Sequence, residues 1–309
     1  MNKKMLVYIL KRLGMSIITI LSVITITFWS MQAIPGGPFA SEKALSEVTL
    51  AILNEKYGLN DPLGTQYLRY LWRALIWDFG PSLTLKGRFV MDVIADGLKI
   101  SGVLGMIALI VALVFGIVLG ALAAVNQNKI LDRIIMVFST ASVAMPSFVI
   151  ASLLLLIFCN RLRWFPSSAA LSSAGYVLPV ITLALYPTAY ITRMTRSSTL
   201  DVLNQDFIRT ARAKGLKESK VIFKHAMRNS LTPIITYIGP EFAYIITGSL
   251  VVEQVFSIGG LGRYFISSIT GCDYSMIMGT TIFLTDIMVI MLLVSDILYV
   301  VANPKVDFD

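Results

Sequence analysis

The ionisable residues of this 309-residue chain fall into three groups whose types and spacing could do chemistry. The largest lies between Arg193 and Arg228, where nine Lys or Arg residues (193, 196, 209, 212, 214, 217, 220, 224 and 228) stand against Asp201, Asp206 and Glu218. Charge of one sign at that density suits docking to a protein surface or to anionic lipid. The second group is three acids set in apolar sequence, Glu241, Asp286 and Asp296. A carboxylate facing lipid at mid-membrane costs about 3 kcal/mol, so such residues turn to a bundle interior or an aqueous path. Glu241, after Pro240, and Asp286, near the middle of the last apolar stretch, are candidates for lining a substrate path, with structural hydrogen bonding as the alternative. Asp296, nearer the end of that stretch, reads as a structural inter-helix hydrogen bond.

The third group excludes more than it offers. His225 is the only histidine and has no Cys, Asp or Glu at ligand spacing, so it reads as a helix-surface or packing residue and no metal site is expected. Cys159 and Cys272 could form one disulfide or stay unpaired, but two cysteines make no disulfide framework. No G-x-x-x-x-G-K-[ST] loop occurs, so any ATP must be handled by a partner. Gly259-Gly260-Leu261-Gly262 lacks G-x-G-x-x-G spacing and reads as an external turn. With no nucleophile–base pair and no metal cluster, an enzyme is not expected.

The elements that position these residues are membrane helices. The chain is 56% hydrophobic and 14% charged, where soluble domains carry about a quarter charged residues. Its net charge of +8 fits cytoplasmic loops rich in Lys and Arg better than nucleic-acid binding. Spans of about 20 apolar residues are expected at Leu13 to Ile34, Ile100 to Val125, Ile134 to Cys159, Tyr176 to Ile191, Leu231 to Val252, and Met276 to Ala302. The fourth is short and carries Pro179 and Pro187, tolerated where neighbours re-satisfy the freed backbone. The first follows Lys3, Lys4, Lys11 and Arg12, but its apolar run is too long for a signal peptide, so a retained anchor is expected. Basic residues then place both termini, Lys129, Arg133 and the Arg193–Arg228 segment inside, in a cytoplasmic membrane. The expected organisation is a tail and first span over 1–34, an ordered external segment over 35–99, a five-helix core over 100–302 that includes the cytosolic loop 193–230, and a tail over 303–309.

Within the basic loop, Phe207, Ile208 and Ala211, then Val221, Ile222, Ala226 and Met227, fit helical faces, while Arg209, Arg212 and Lys214 project elsewhere. Gly215 stands where a first helix ends, because glycine takes the left-handed conformation without penalty. Leu216-Lys217-Glu218-Ser219 opens a second helix. By physics alone this pair suits equally a rigid protrusion that docks a protein and an amphipathic surface on lipid.

This stretch resembles the EAA loop of ABC importer permeases, in the spelling of the oligopeptide and dipeptide branch. The general E-A-A-x-x-x-G pattern falls on Arg209-Thr210-Ala211 and Gly215, and its I-x-L-P continuation on His225-Ala226-Met227-Arg228. Only Ala211 and Gly215 match literally; the departures are those of the peptide branch. The likeness continues through Tyr8 to Leu13, Ile34 to Phe39, Lys56 to Pro62, Asp78 to Ser82, Pro146-Ser147-Phe148, Thr195 to Ser198, Gly259 to Gly262, Asp273-Tyr274 and Asp296 to Tyr299, with Asn303-Pro304-Lys305 departing from the usual Asp-Pro-Arg/Lys. It is similar above all to B-type membrane subunits of oligopeptide permeases.

The resemblance implies an all-α, six-span permease of the type I ABC importer fold. It implies a heterodimer with a second, homologous permease, two cytosolic ATPase subunits that use ATP and Mg, and an external peptide-binding protein. It assigns ATPase coupling to Arg209, Thr210, Ala211, Arg212, Ala213, Lys214, Gly215, Leu216, Lys217, Glu218, His225 and Arg228, and transport to alternating access. A dipeptide, nickel-chelate or glutathione importer of the same family is the alternative. An ion-coupled secondary transporter, with Glu241 and Asp286 as its relay, is the competing class.

Overall fold

A chain this apolar must pair its backbone without water, and helices do that within one segment. Among the described residues the regular structure is helical, apart from an isolated bridge between Pro81 and Phe89. The computed structural model describes residues 3–33, 55, 58–168, 172–246 and 249–302. The expected outer residues 34–54 and the tail 303–309, with Asn303-Pro304-Lys305, lie outside them.

The helices are α1 (Lys3–Gln32), α2 (Leu63–Leu75), α3 (Val90–Val125), α4 (Ile130–Ala144), α5 (Ser147–Leu154, extended by a π-helical Leu155–Arg161) and α6 (Val177–Leu203). There follow α7 (Asp206–Ala213) and a composite α8 made of Glu218–Lys220, a π-helical Val221–Ala226 and Met227–Ser230. The chain continues through α9 (Thr232–Ile246), α10 (Leu250–Val255), α11 (Leu261–Thr270) and α12 (Tyr274–Ala302). Five stretches are long and apolar enough to cross a membrane, Ile9–Gln32, Val90–Val125, Ser173–Leu203, Thr232–Val255 and Tyr274–Asp296, and α4 with α5 makes a sixth if that bent pair is one span.

Three boundaries depart from expectation. The second helix begins at Val90, not Ile100, so the end of the expected external segment is already helical. The third span is broken, α4 and α5 meeting at 105°. Pro146 is the cause: it lacks an N–H, and it pushes Met145 into extended conformation at φ −89°, ψ 126°. The fourth helix runs on to Leu203, so Arg193 and Arg196 belong to α6 rather than to a loop.

The chain divides into two compact units, one drawn from residues up to Ile100 and from Gly259–Ile290, the other from Ser101–Ile258 and from Met291 onward. In the first, Phe28, Tyr70, Phe79, Ile94, Leu261 and Ile282 join one buried apolar core. Asp273 ties its loops together, accepting from Ser82 Oγ, from the Leu83 and Thr84 amides and from Thr84 Oγ1, while its other oxygen caps α12 at the Met276 amide.

In the second unit small residues let helix backbones approach. A Cβ on Gly116 would lie 2.7 Å from Ile191, and one on Gly120 would lie 2.6 Å from the Thr192 carbonyl oxygen. These two glycines form a G-x-x-x-G pair, a pattern that brings membrane helices into backbone contact. Gly120→Leu should therefore force α3 from α6 at a cost of about 1–3 kcal/mol. A lower midpoint of unfolding in detergent is the expected reading, and an unchanged midpoint would contradict the close approach. Pro240 in α9 leaves the Thr236 carbonyl without its helical donor, and Ser295 Oγ of α12 supplies one at 3.3 Å. Gly239 makes room for that contact, since a Cβ there would collide with Ser295.

Candidate functional site

The pair of helices around Gly215 is built by its own sequence. Gly215 has φ +75°, its amide donates to the Arg212 carbonyl at 2.9 Å, and the Leu216 amide donates to that of Ala211 at 3.4 Å. These are the two bonds of a Schellman ending, which satisfies the last carbonyls of α7. Ile208 and Ala211 of α7 then meet Val221 and Ala226 of α8 and Val202 of α6 in a small core, with Leu216 packed against it. Most of the apolar back of each helix is thus consumed within the protein, while Phe207 and Phe223 stay exposed. Around the turn the outward face is largely charged or polar: Arg209, Thr210, Arg212, Lys214, Lys217 and Glu218 are exposed, together with Ala213 and Gly215.

An ion pair spans the turn. Arg212 donates to both carboxylate oxygens of Glu218, at 2.6 and 3.2 Å. That hydrogen bond holds the Glu218 carboxyl below the usual carboxylate range. What it adds to the turn is therefore present at neutral pH and lost on acidification through that lowered value. Both groups are well exposed, so the pair orients the turn more than it stabilises it. His225 is half-buried in the π-helical turn and Arg228 is exposed beside it.

Behind this surface the structure pairs a residue that charge counting assigned to the basic patch. Arg196 donates to Asp132 through Nε at 2.6 Å and through a terminal nitrogen at 2.8 Å, and the Asn128 amide donates to the same carboxylate at 2.9 Å. Asp132, at the start of α4, is almost wholly buried. Two of the nine basic residues thus lie on α6, and one of these is held in an internal pair.

The intramembrane acids separate. Glu241 is buried and accepts from Tyr237 Oη at 2.7 Å, while Tyr237 stacks on Tyr190 with ring centroids 4.5 Å apart. It lines a cavity of about 520 Å³ that also touches the α4–α5 break at Met145 and Pro146. Asp286 belongs to the other unit, buried in α12, with its Oδ1 without a partner. Asp296 is half-buried near the end of α12, next to the Ser295 that serves α9.

Sequence reading missed three buried acids: Asp132, Asp273 and Glu253, the last accepting from Ser101 Oγ at 2.7 Å. It also missed the Gly116–Gly120 contact, although a G-x-x-x-G in an apolar run was a readable signal. The acids carried none, because each sits near a span end where a solvated carboxylate is ordinary. Cys159 is buried and directs its thiol to the Pro166 carbonyl; both cysteines are free.

The family model described as binding-protein-dependent transport system inner membrane component matches residues 116–308, and the model of that component's N-terminal part matches 5–79. The dipeptide transport system permease protein of Bacillus subtilis is 43% identical over 299 residues, spanning 97% of each chain. The oligopeptide transport system permease protein of Haemophilus influenzae is 42% identical over 306 residues, spanning 98% of this chain and 100% of the relative. Among solved structures, a chain of the inward-facing MetNI methionine ABC transporter superposes with a TM-score of 0.55 at 15% identity over 68% of this chain and 95% of its own. A crystallised amino acid ABC transporter gives 0.51 at 18% identity over 70% and 95%. At those identities the likeness is one of fold.

Proposed function

The chain belongs to the family of binding-protein-dependent transport system inner membrane components, and from that premise we propose that it is the membrane-spanning permease of an ATP-driven importer of oligopeptides, with dipeptides as the alternative cargo. The chain is a multi-pass membrane transport component. In this reading both termini and the α7–α8 pair are cytosolic, a second homologous permease completes the pathway, two ATPase subunits hydrolyse ATP, and an external binding protein delivers the peptide.

The observation that carries the reading is the α7–Gly215–α8 protrusion. Of its apolar residues Ile208, Ala211, Val221 and Ala226 are spent on an internal core, with Phe207 and Phe223 the exposed exceptions, and its charged residues stand outward on a turn fixed by two backbone hydrogen bonds. A lipid-lying amphipathic helix needs its apolar face free for the bilayer. A rigid polar knob instead suits a protein socket, and force applied there passes into α6, on which α8 packs through Thr199 and Met227. For this to drive transport, the ATPase must bind the knob differently in its two states.

Reconstitution into proteoliposomes tests the reading. Uptake of labelled peptide is expected only when the second permease, the ATPase subunits, the loaded binding protein and ATP are all present. Uptake by this chain alone, driven by an ion gradient, would replace the reading with a secondary transporter.

A further inference from the structure

Resting on the importer reading, we propose that the Glu241 cavity is a cation subsite on the translocation path, receiving an ammonium group of the peptide in transit. The cavity lies within one compact unit, and its volume of about 520 Å³ falls in the range of roughly 300–1,000 Å³ that small-molecule sites occupy. Among the described residues its lining holds one carboxylic acid, Glu241, and no Lys, Arg or His. A carboxylate kept in mid-span without a cationic side chain in the same cavity is a site for a cation brought from outside.

Beside the hydroxyls of Ser147, Ser249, Tyr186 and Tyr244, which can donate as well as accept, the cavity holds acceptors that suit a donor-rich ligand. Thr182 Oγ1 spends its proton on the Leu178 carbonyl at 2.8 Å, so its oxygen faces new partners only as an acceptor. Pro187 has no N–H, which removes the helical donor to the Leu183 carbonyl, and both residues line the cavity. Glu241 is itself an acceptor, oriented by the Tyr237 hydroxyl. An ammonium carries three donors and no acceptor, and these acceptors complement it. Tyr186 and Tyr244 add aromatic rings to the wall, and such rings attract ammonium groups through their faces. Every unblocked peptide has an α-ammonium and lysine peptides have a second, so both sources share this chemistry.

The test uses the complete transporter in proteoliposomes, with trialanine and Ala-Lys-Ala as the labelled peptides. Glu241→Gln should lower the maximal uptake rate roughly tenfold, with Glu241→Asp retaining most of it and the partner subunits still copurifying. A fall with trialanine assigns the α-ammonium, and a fall confined to Ala-Lys-Ala assigns the lysine side chain. Wild-type rates for both peptides in Glu241→Gln would overturn the subsite. Equal losses in the Gln and Asp variants, accompanied by loss of copurifying subunits, would also overturn it by making Glu241 structural. Failure of the wild-type complex to carry either peptide strikes at the importer reading instead.

Discussion

Replacing Gly215 with aspartate is expected to lower ATP-driven uptake by roughly tenfold or more, equivalent to ~1.4 kcal/mol of lost coupling, and to loosen the ATPase subunits while the chain still folds and inserts. The reason lies in what surrounds the residue. A Cβ built there meets nothing within 4 Å, so the side chain has space, and the cost is that of a φ of +75°. For most residues this left-handed conformation costs about 1–2 kcal/mol, but Asp and Asn adopt it more readily because their short polar side chains bond locally. The new carboxylate would stand between Lys214 and Lys217, beside the Arg212–Glu218 pair, at the tip of the exposed knob. It could draw Arg212 or a lysine from the partner, and it places a negative charge where the docking face is basic. Gly215→Asn keeps the turn and omits the charge, so it should lie between wild type and Gly215→Asp. Copurification of the ATPase subunits with the variants, alongside peptide uptake, measures both effects. Wild-type association and uptake in Gly215→Asp would sink the docking assignment.

Arg196→Ala is expected to produce the largest loss of stability. Asp132 has a side chain only 4% exposed and takes two hydrogen bonds from Arg196. Without the guanidinium it retains the Asn128 amide, a single neutral donor for a buried charge. Breaking a buried pair from one side costs about 3–5 kcal/mol, whereas replacing both partners with apolar residues of similar volume is often neutral. The double variant Asp132→Leu with Arg196→Leu should therefore recover much of what Arg196→Ala loses. Unfolding in detergent under increasing denaturant reads the difference. A midpoint for Arg196→Ala equal to that of the wild type would show that the pair holds nothing together. The pair joins α4, which leads to the break at Pro146, with α6, which leads to the coupling knob. Uptake in the double variant then asks whether that link needs charge or only packing.

Much of the knob was legible in the sequence. Ile208, Ala211, Val221 and Ala226 were recognisable by helical spacing and are buried together, while Arg209, Arg212 and Lys214 project outward as expected. Gly215 as a helix ending was equally readable, because the left-handed conformation is a property of one residue and its immediate neighbours. Five of the six expected membrane spans were legible as long apolar helices, the sixth being the bent α4–α5 pair, and their extent was less so. Hydropathy reports where a helix enters lipid, not where it ends, so α3 begins before its apolar run and α6 continues through Arg193 and Arg196. The break at Pro146 was not expected in the stretch from Ile134 to Cys159, and prolines 187 and 240 lie within continuous helices. Which of these a proline does depends on whether another helix can serve the carbonyl it orphans, as Ser295 does for Thr236.

By itself the sequence determined the quantities that add up along a chain: how much of it leaves water, where the apolar stretches lie, where charge gathers, and the family to which the chain belongs. Only the tertiary structure decided partnership. It joined Arg196 to Asp132 across 64 positions, Ser82 to Asp273 across 191 and Ser101 to Glu253 across 152. It set Glu241 in the wall of a cavity and left Gly215 at an open tip. The physical reason is one of range. Propensity, capping and hydropathy act over a few residues, whereas satisfaction of a buried polar group depends on which helix lies alongside it, and packing alone sets that.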